Sequence, residues 1–139
     1  MDFYDEVKKI WKKNIDKKTG LTYVQKEQLD VLIYLVKMAI LDATALGKTD
    51  CSVEFDSNNT STYNVKLNDS SGVKKELSYS ARSSEIYRLL ENQERKEICI
   101  KEIEKALGQE FTVKTFSQRL YRSLLMSVSV RWPKPEGVV

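Results

Sequence analysis

The side chains with chemical reach in this chain are two cysteines and twenty carboxylates, and histidine is absent. Without imidazole, neither a Ser-His-Asp nor a Cys-His nucleophile can be assembled within the chain, and zinc sites that use histidine are excluded with them. Cys51 and Cys99 lie in segments of different character and form no CxxC or other ligand spacing. They read as buried thiols. The pairs Glu94 and Glu97, and Glu102 and Glu104, sit among Lys and Arg on a predicted solvated helix, whereas general acid–base work needs a desolvated or coupled pair. Their ordinary role is i,i+4 partnership, as from Glu97 to Lys101. Asp50, Glu54 and Asp56 could approach a divalent ion, but they lack the dense oxygen spacing of a calcium loop. Five isolated glycines supply neither a GxGxxG fingerprint nor a P-loop. The expectation is a protein without catalysis, cofactor or metal.

The one marked segregation is of charge. Residues 111–135 contain no Asp or Glu but carry Lys114, Arg119, Arg122, Arg131 and Lys134. At about 100° per residue, Val113, Phe116, Leu120 and Leu124 cluster on one side of a helix, and Thr115, Gln118, Arg119 and Arg122 face away. Arg and Gln can reach base edges in a major groove, while Thr, Lys and Arg serve phosphates. Lys114, Thr115, Gln118, Arg119, Arg122, Arg131 and Lys134 are therefore the candidate nucleic-acid contacts. A second basic patch, Lys8, Lys9, Lys12 and Lys13, serves equally well as a solubilising face or a phosphate track.

The elements that must position these residues follow from periodicity. Phe3, Val7, Ile10, Trp11 and Asn14 share one helical face, with lysines covering much of the rest; Trp11, completing that stripe, reads first as a core anchor, then as a partner contact, then as a membrane-interface residue. Thr22 and Gln25 form a capping-box pattern ahead of Leu29, Leu32, Ile33, Val36, Ile40 and Ala43. Leu35, Met38 and Leu46 widen the apolar arc of this long helix, which ends at Gly47. Between residues 51 and 80 the period changes to two, in Cys51, Val53 and Phe55, then Tyr63, Val65 and Leu67, then Leu77 and Tyr79. With turn-rich separators at 57–60 and 68–72, this predicts a three-stranded antiparallel meander packed on the long helix. Helical spacing returns from Ser83, with Asn92 as a boundary or cap within 83–107. A helix over 112–125 follows, then a strand in which Met126, Val128, Val130 and Trp132 alternate with polar residues before Pro133 and Pro135.

The fold class is thus α+β, a single domain over 1–139 comprising a helical pair (1–47), a β-meander (51–80), helices plus a terminal strand (83–132) and a flexible tail (133–139). The 139 residues, 41% apolar and 31% charged with a net +3, suffice for one core. The order helix, helix, helix, strand over about residues 83–132 resembles a winged helix-turn-helix, which implies a third helix that reads DNA and a β-wing behind it. The leading expectation is a small DNA-binding protein, a transcriptional regulator or replication accessory factor. Beside it stand a protein-interaction module, an adaptor or inhibitor encoded by a phage or other mobile element that binds an acidic partner, and thirdly a small-ligand binder. The apolar surface of the first two helices also makes a homodimer an expectation. The opening residues carry Asp2, Asp5 and Glu6 with no continuous apolar run, and the stretch 31–45 is broken by Lys37 and Asp42. The reading is cytoplasmic, without a membrane span.

Overall fold

Thr22 starts the longest helix, as its spacing to Gln25 requires. The Gln25 amide donates to Thr22 Oγ1 at 3.1 Å and the Thr22 amide to Gln25 Oε1 at 3.1 Å, so two otherwise orphaned donors are satisfied reciprocally. A computed structural model describes residues 2–56, 59–66, 74–78 and 86–137. Helix α1 spans Phe3–Lys13 and α2 spans Tyr23–Ala45. Leu46 caps α2, the Gly47 amide donates to the Thr44 carbonyl at 3.0 Å, and the Lys48 amide donates to Ala43 at 2.9 Å. This is a Schellman stop, and it needs the positive φ of 75° that Gly47 supplies without steric cost.

Strands β1 (Asp50–Asp56), β2 (Asn59–Lys66) and β3 (Lys74–Ser78) pair antiparallel in sequence order, which is the expected meander. Of the separator expected over 57–60, Asn59 and Thr60 already belong to β2, because Asn59 pairs with Asp56, while 57–58, the separator at 68–72, Leu67 and Tyr79 lie outside the described residues. Helices α3 (Ile86–Glu91) and α4 (Gln93–Leu107) are two elements, because Asn92 leaves helical geometry and its side-chain oxygen accepts from the Arg95 amide at 3.0 Å. Strands β4 (Thr112–Leu120) and β5 (Ser123–Arg131) then form a hairpin, and the full sheet runs β3-β2-β1-β5-β4.

The expected helix over 112–125 is not formed. Thr112, Val113, Thr115 and Phe116 are β-branched or aromatic and fit a pleated surface, and β5 offers them an edge along its whole length. The helical spacing of Val113, Phe116, Leu120 and Leu124 is a coincidence of composition: Val113 is buried, Leu124 is half-buried, and Phe116 is 57% exposed. Without that third helix, the likeness to a winged helix-turn-helix reduces to α3, α4 and a hairpin. The strand expected over 126–132 is present as β5, ending at Arg131.

The core sits on one side of the sheet. Cys51, Val53 and Phe55 of β1 lie opposite Val130, Val128 and Met126 of β5, all buried. Against them pack Leu29, Leu32, Val36 and Ala43 of α2, Leu89 and Leu90 of α3, and Cys99 and Ile103 of α4. Trp132, just past the end of β5, is partly buried against this core, its ring 5.8 Å from that of Phe111. Trp11 is not a core anchor: it is 56% exposed, and no residue of α1 is buried. Among the described residues, no helix is long and apolar enough to cross a membrane.

Both thiols are buried, as their apolar neighbours predicted. Burial, with the Asp50 charge adding to it, pushes the Cys51 thiol up to about 12. Burial also pushes Cys99 up to about 11, with Arg95 opposing and Glu102 adding. Thiol reagents should therefore leave both cysteines of the native protein unmodified and label both once it is unfolded. The folded chain holds its thiol protons to higher pH than the unfolded chain does. Thermal stability should accordingly decline as pH climbs from the ordinary thiol value of 9.0 towards 11 and 12, a trend that melts across that range would reveal.

Candidate nucleic-acid interface

Strand alternation sorts the acid-free segment onto two faces. Val113 and Thr115 face the helices, opposite Val130 and Val128. Lys114, Phe116 and Gln118 occupy the other face, opposite Ser129, Ser127 and Leu125, and Arg131 joins them beside Thr112. The structure thus brings Lys114, Gln118 and Arg131 together and separates Thr115, which is half-buried on the core side. Lys134 follows the strand and is exposed. Lys8, Lys9, Lys12 and Lys13 are exposed on α1, with the Lys8 ammonium 4.7 Å over the Tyr4 ring.

The same face is acidic towards the sheet centre. Asp50 of β1 lies opposite Arg131, and Glu54 and Asp56 follow it on the same side opposite Ser127 and Leu125. A shallow groove of about 210 Å³ lies where the two characters meet, lined by Asp50, Thr112, Lys114, Phe116, Ser129 and Arg131.

The ribbon's far end is a two-residue turn. Leu120 pairs with Ser123, leaving Tyr121 and Arg122 as the connection. Tyr121 is 88% exposed, and the Arg122 guanidinium lies 5.1 Å from the centre of its ring. Arg122 has φ 67°, which a two-residue hairpin ordinarily assigns to Gly or Asn. Arg119 stands exposed just before the turn. Arg119 and Arg122, assigned to one helical face, are thus together at a hairpin tip. Tyr121 and Phe116 were missed as exposed groups. Phe116 fell into a fortuitous helical stripe, and the Tyr121-Arg122 turn lacks the Gly or Asn that marks such turns in a sequence.

The carboxylates considered for catalysis offer no coupled pair. Glu94, Glu97 and Glu104 are exposed along α4, and Glu97 accepts from Gln93 at 3.0 Å while Glu102 pairs with Lys105 at 3.4 Å. Among the described residues, no three carboxylate, thiol or imidazole groups gather as metal ligands. No protein-family model matches this chain, and no curated protein or solved structure matches it either.

Backbone strain at the tip generates a prediction. A non-glycine residue at positive φ costs roughly 1 kcal/mol. Arg122→Gly should therefore keep or slightly raise the melting temperature despite glycine's greater freedom when unfolded, whereas Arg122→Val should lower stability by about 1 kcal/mol or more. Thermal melts of the two variants beside the parent would show the ordering.

Proposed function

We propose that this protein is a non-catalytic DNA-binding protein that engages duplex DNA through the β4–β5 ribbon. The observation that carries this reading is the fold of the acid-free segment: residues 111–135 carry five basic side chains and no carboxylate, and their strands β4 and β5 form a hairpin whose outer strand β4 is the edge of the sheet and whose tip is exposed. A two-stranded ribbon fits the major groove as a helix does. Arg119 and Arg122 at the tip supply donors for base edges or phosphates. Lys114, Arg131 and Lys134 supply phosphate contacts along the ribbon, and Gln118 a hydrogen-bonding side chain on its outward face. The recognition element is therefore a ribbon in place of the helix expected from spacing.

The charge distribution agrees with this assignment. Carboxylates on β1 disfavour a duplex at the strand beside the hairpin, which leaves the β4 edge and the tip as the acid-free part of this side of the sheet. About four or five phosphate contacts would give a log–log salt slope of roughly −4.

Mobility shift or anisotropy on genomic fragments at low salt tests the reading. Replacing Arg119 and Arg122 together by Ala should weaken binding about tenfold or more, with melting near that of the parent because both side chains are exposed. Changing Lys12 and Lys13 of α1 to Ala should cost less. A parent that shifts no DNA, or a tip variant that melts normally and binds as the parent does, would sink the ribbon as a DNA reader.

A further inference from the structure

Helix α1 is strongly amphipathic, yet it buries nothing. Phe3, Val7, Ile10 and Trp11 fall within one arc of about 120° at helical spacing, and Phe3, Ile10 and Trp11 are 76%, 61% and 56% exposed. An 11-residue helix gains little from propensity alone and depends on covering such a face. Nor is α1 a loose tail. The Tyr23 amide donates to the Asn14 carbonyl at 2.9 Å, Asp16 donates to Leu21 at 2.7 Å, and Ile15 bridges Thr22. Within the loop, Thr19 Oγ1 donates to the Asp16 carboxylate at 2.7 Å, a bond that also holds this carboxyl below its ordinary range. The helix is thereby set at a fixed angle to the start of α2, with a groove of about 480 Å³ between Val7, Ile10, Trp11, Tyr23 and Val24.

A second apolar face lies uncovered on α2. Its inner side packs on the sheet, but Tyr34, Met38 and Leu41 repeat at i, i+4 and i+7 on its outer side and are 61%, 39% and 63% exposed. This stripe begins eleven residues beyond Tyr23, about 16 Å along the helix at 1.5 Å per residue, and α1 of the same chain leaves it bare. The two helices carry opposite net charge, with Asp30 of α2 paired to Lys26 at 2.6 Å and Lys37 lying within the α2 stripe. Between Phe3 and Lys13, four lysines outnumber Asp5 and Glu6, whereas between Tyr23 and Ala45, Glu27, Asp30 and Asp42 outnumber Lys26 and Lys37.

We propose that the chain forms a two-fold homodimer in which α1 of each copy lies on the Tyr34–Met38–Leu41 stripe of its partner. Two complementary surfaces that do not meet within one chain are both covered at once by a second copy, and two-fold symmetry closes the assembly. Burying the exposed parts of Phe3, Ile10, Trp11, Tyr34, Met38 and Leu41 in both copies removes on the order of 1,500 Å² from water, the size of a stable specific interface. An anionic membrane would also attract an amphipathic basic helix. It would leave the α2 stripe uncovered and would meet that helix's excess of acids, so a second copy is the occupant these surfaces fit. The proposal is independent of the DNA reading, since neither stripe belongs to the ribbon.

Sedimentation velocity on the full chain tests it, with Trp11→Glu and Leu41→Glu as separate variants. Both positions are exposed, so circular dichroism and melting should stay near those of the parent. The parent should sediment at twice the 16.1 kDa of one chain, and each variant should dimerise at least about tenfold more weakly. Mixing the two variants should restore part of the dimer, because one of the two helix contacts then joins intact surfaces. A parent that is monomeric at about 100 µM, well above the micromolar Kd that an interface of this size reaches, would overturn the proposal. So would disruption by only one variant, which would mean α1–α1 or α2–α2 pairing. A monomeric parent that co-sediments with phosphatidylserine-containing vesicles through Trp11 would overturn it in favour of a lipid surface.

Discussion

The pairing of β1 with β5 is the interaction on which the rest of the structure depends. These strands lie some seventy residues apart in sequence, and seven consecutive residue pairs join them from Asp50↔Arg131 to Asp56↔Leu125. Cys51, Val53 and Phe55 thereby share a buried face with Val130, Val128 and Met126. Because strand side chains alternate with period two, a slip of one residue would turn these apolar sets out to solvent. That ladder gives α2, α3 and α4 a common apolar surface, and it joins the β1-β2-β3 meander to the β4-β5 hairpin as one sheet.

Placing β5 inside the sheet also determines the character of the ribbon. β5 is bounded on one side by β1 and on the other by β4, so β4 is an edge strand with one line of backbone groups unused by the sheet. Edge position explains why β4 carries so little apolar pattern. Past Val113 its core-side positions are Thr115, Ser117 and Arg119, and its outward positions include Lys114, Phe116 and Gln118. The charges that keep an exposed edge from pairing with other chains are the same charges on which the proposed DNA contact rests.

Helix α2 shows the opposite economy. It is apolar nearly all round, a pattern that ordinarily means burial on every side. Its inner residues are 0–7% exposed in the core, yet Tyr34 and Leu41 outside are more than half exposed. Helix α1, held at a set angle by the Asn14–Tyr23 connection, is amphipathic with its apolar side open. Together they put more apolar surface on view than one two-layer domain requires.

Local physics was legible in the chain itself. The Thr22–Gln25 capping box, the Gly47 stop, the cap at Asn92 and the alternation in β1 and β5 each involve neighbours a few residues apart, so the α+β class, the meander and the inward cysteines follow from sequence. Periodicity also reports which side of a helix is apolar, but not whether anything covers it, and so Trp11 was placed in a core it does not enter. The tertiary structure alone decided the segment over 112–125. Its apolar residues happened to satisfy helical spacing, and its turn, Tyr121-Arg122, carries no glycine signal. What overrode that local pattern was a non-local hydrogen-bonding edge: β5, already committed to β1 by its buried alternation, offered a full ladder to a β-branched segment, and spacing within 112–125 contains no trace of that offer.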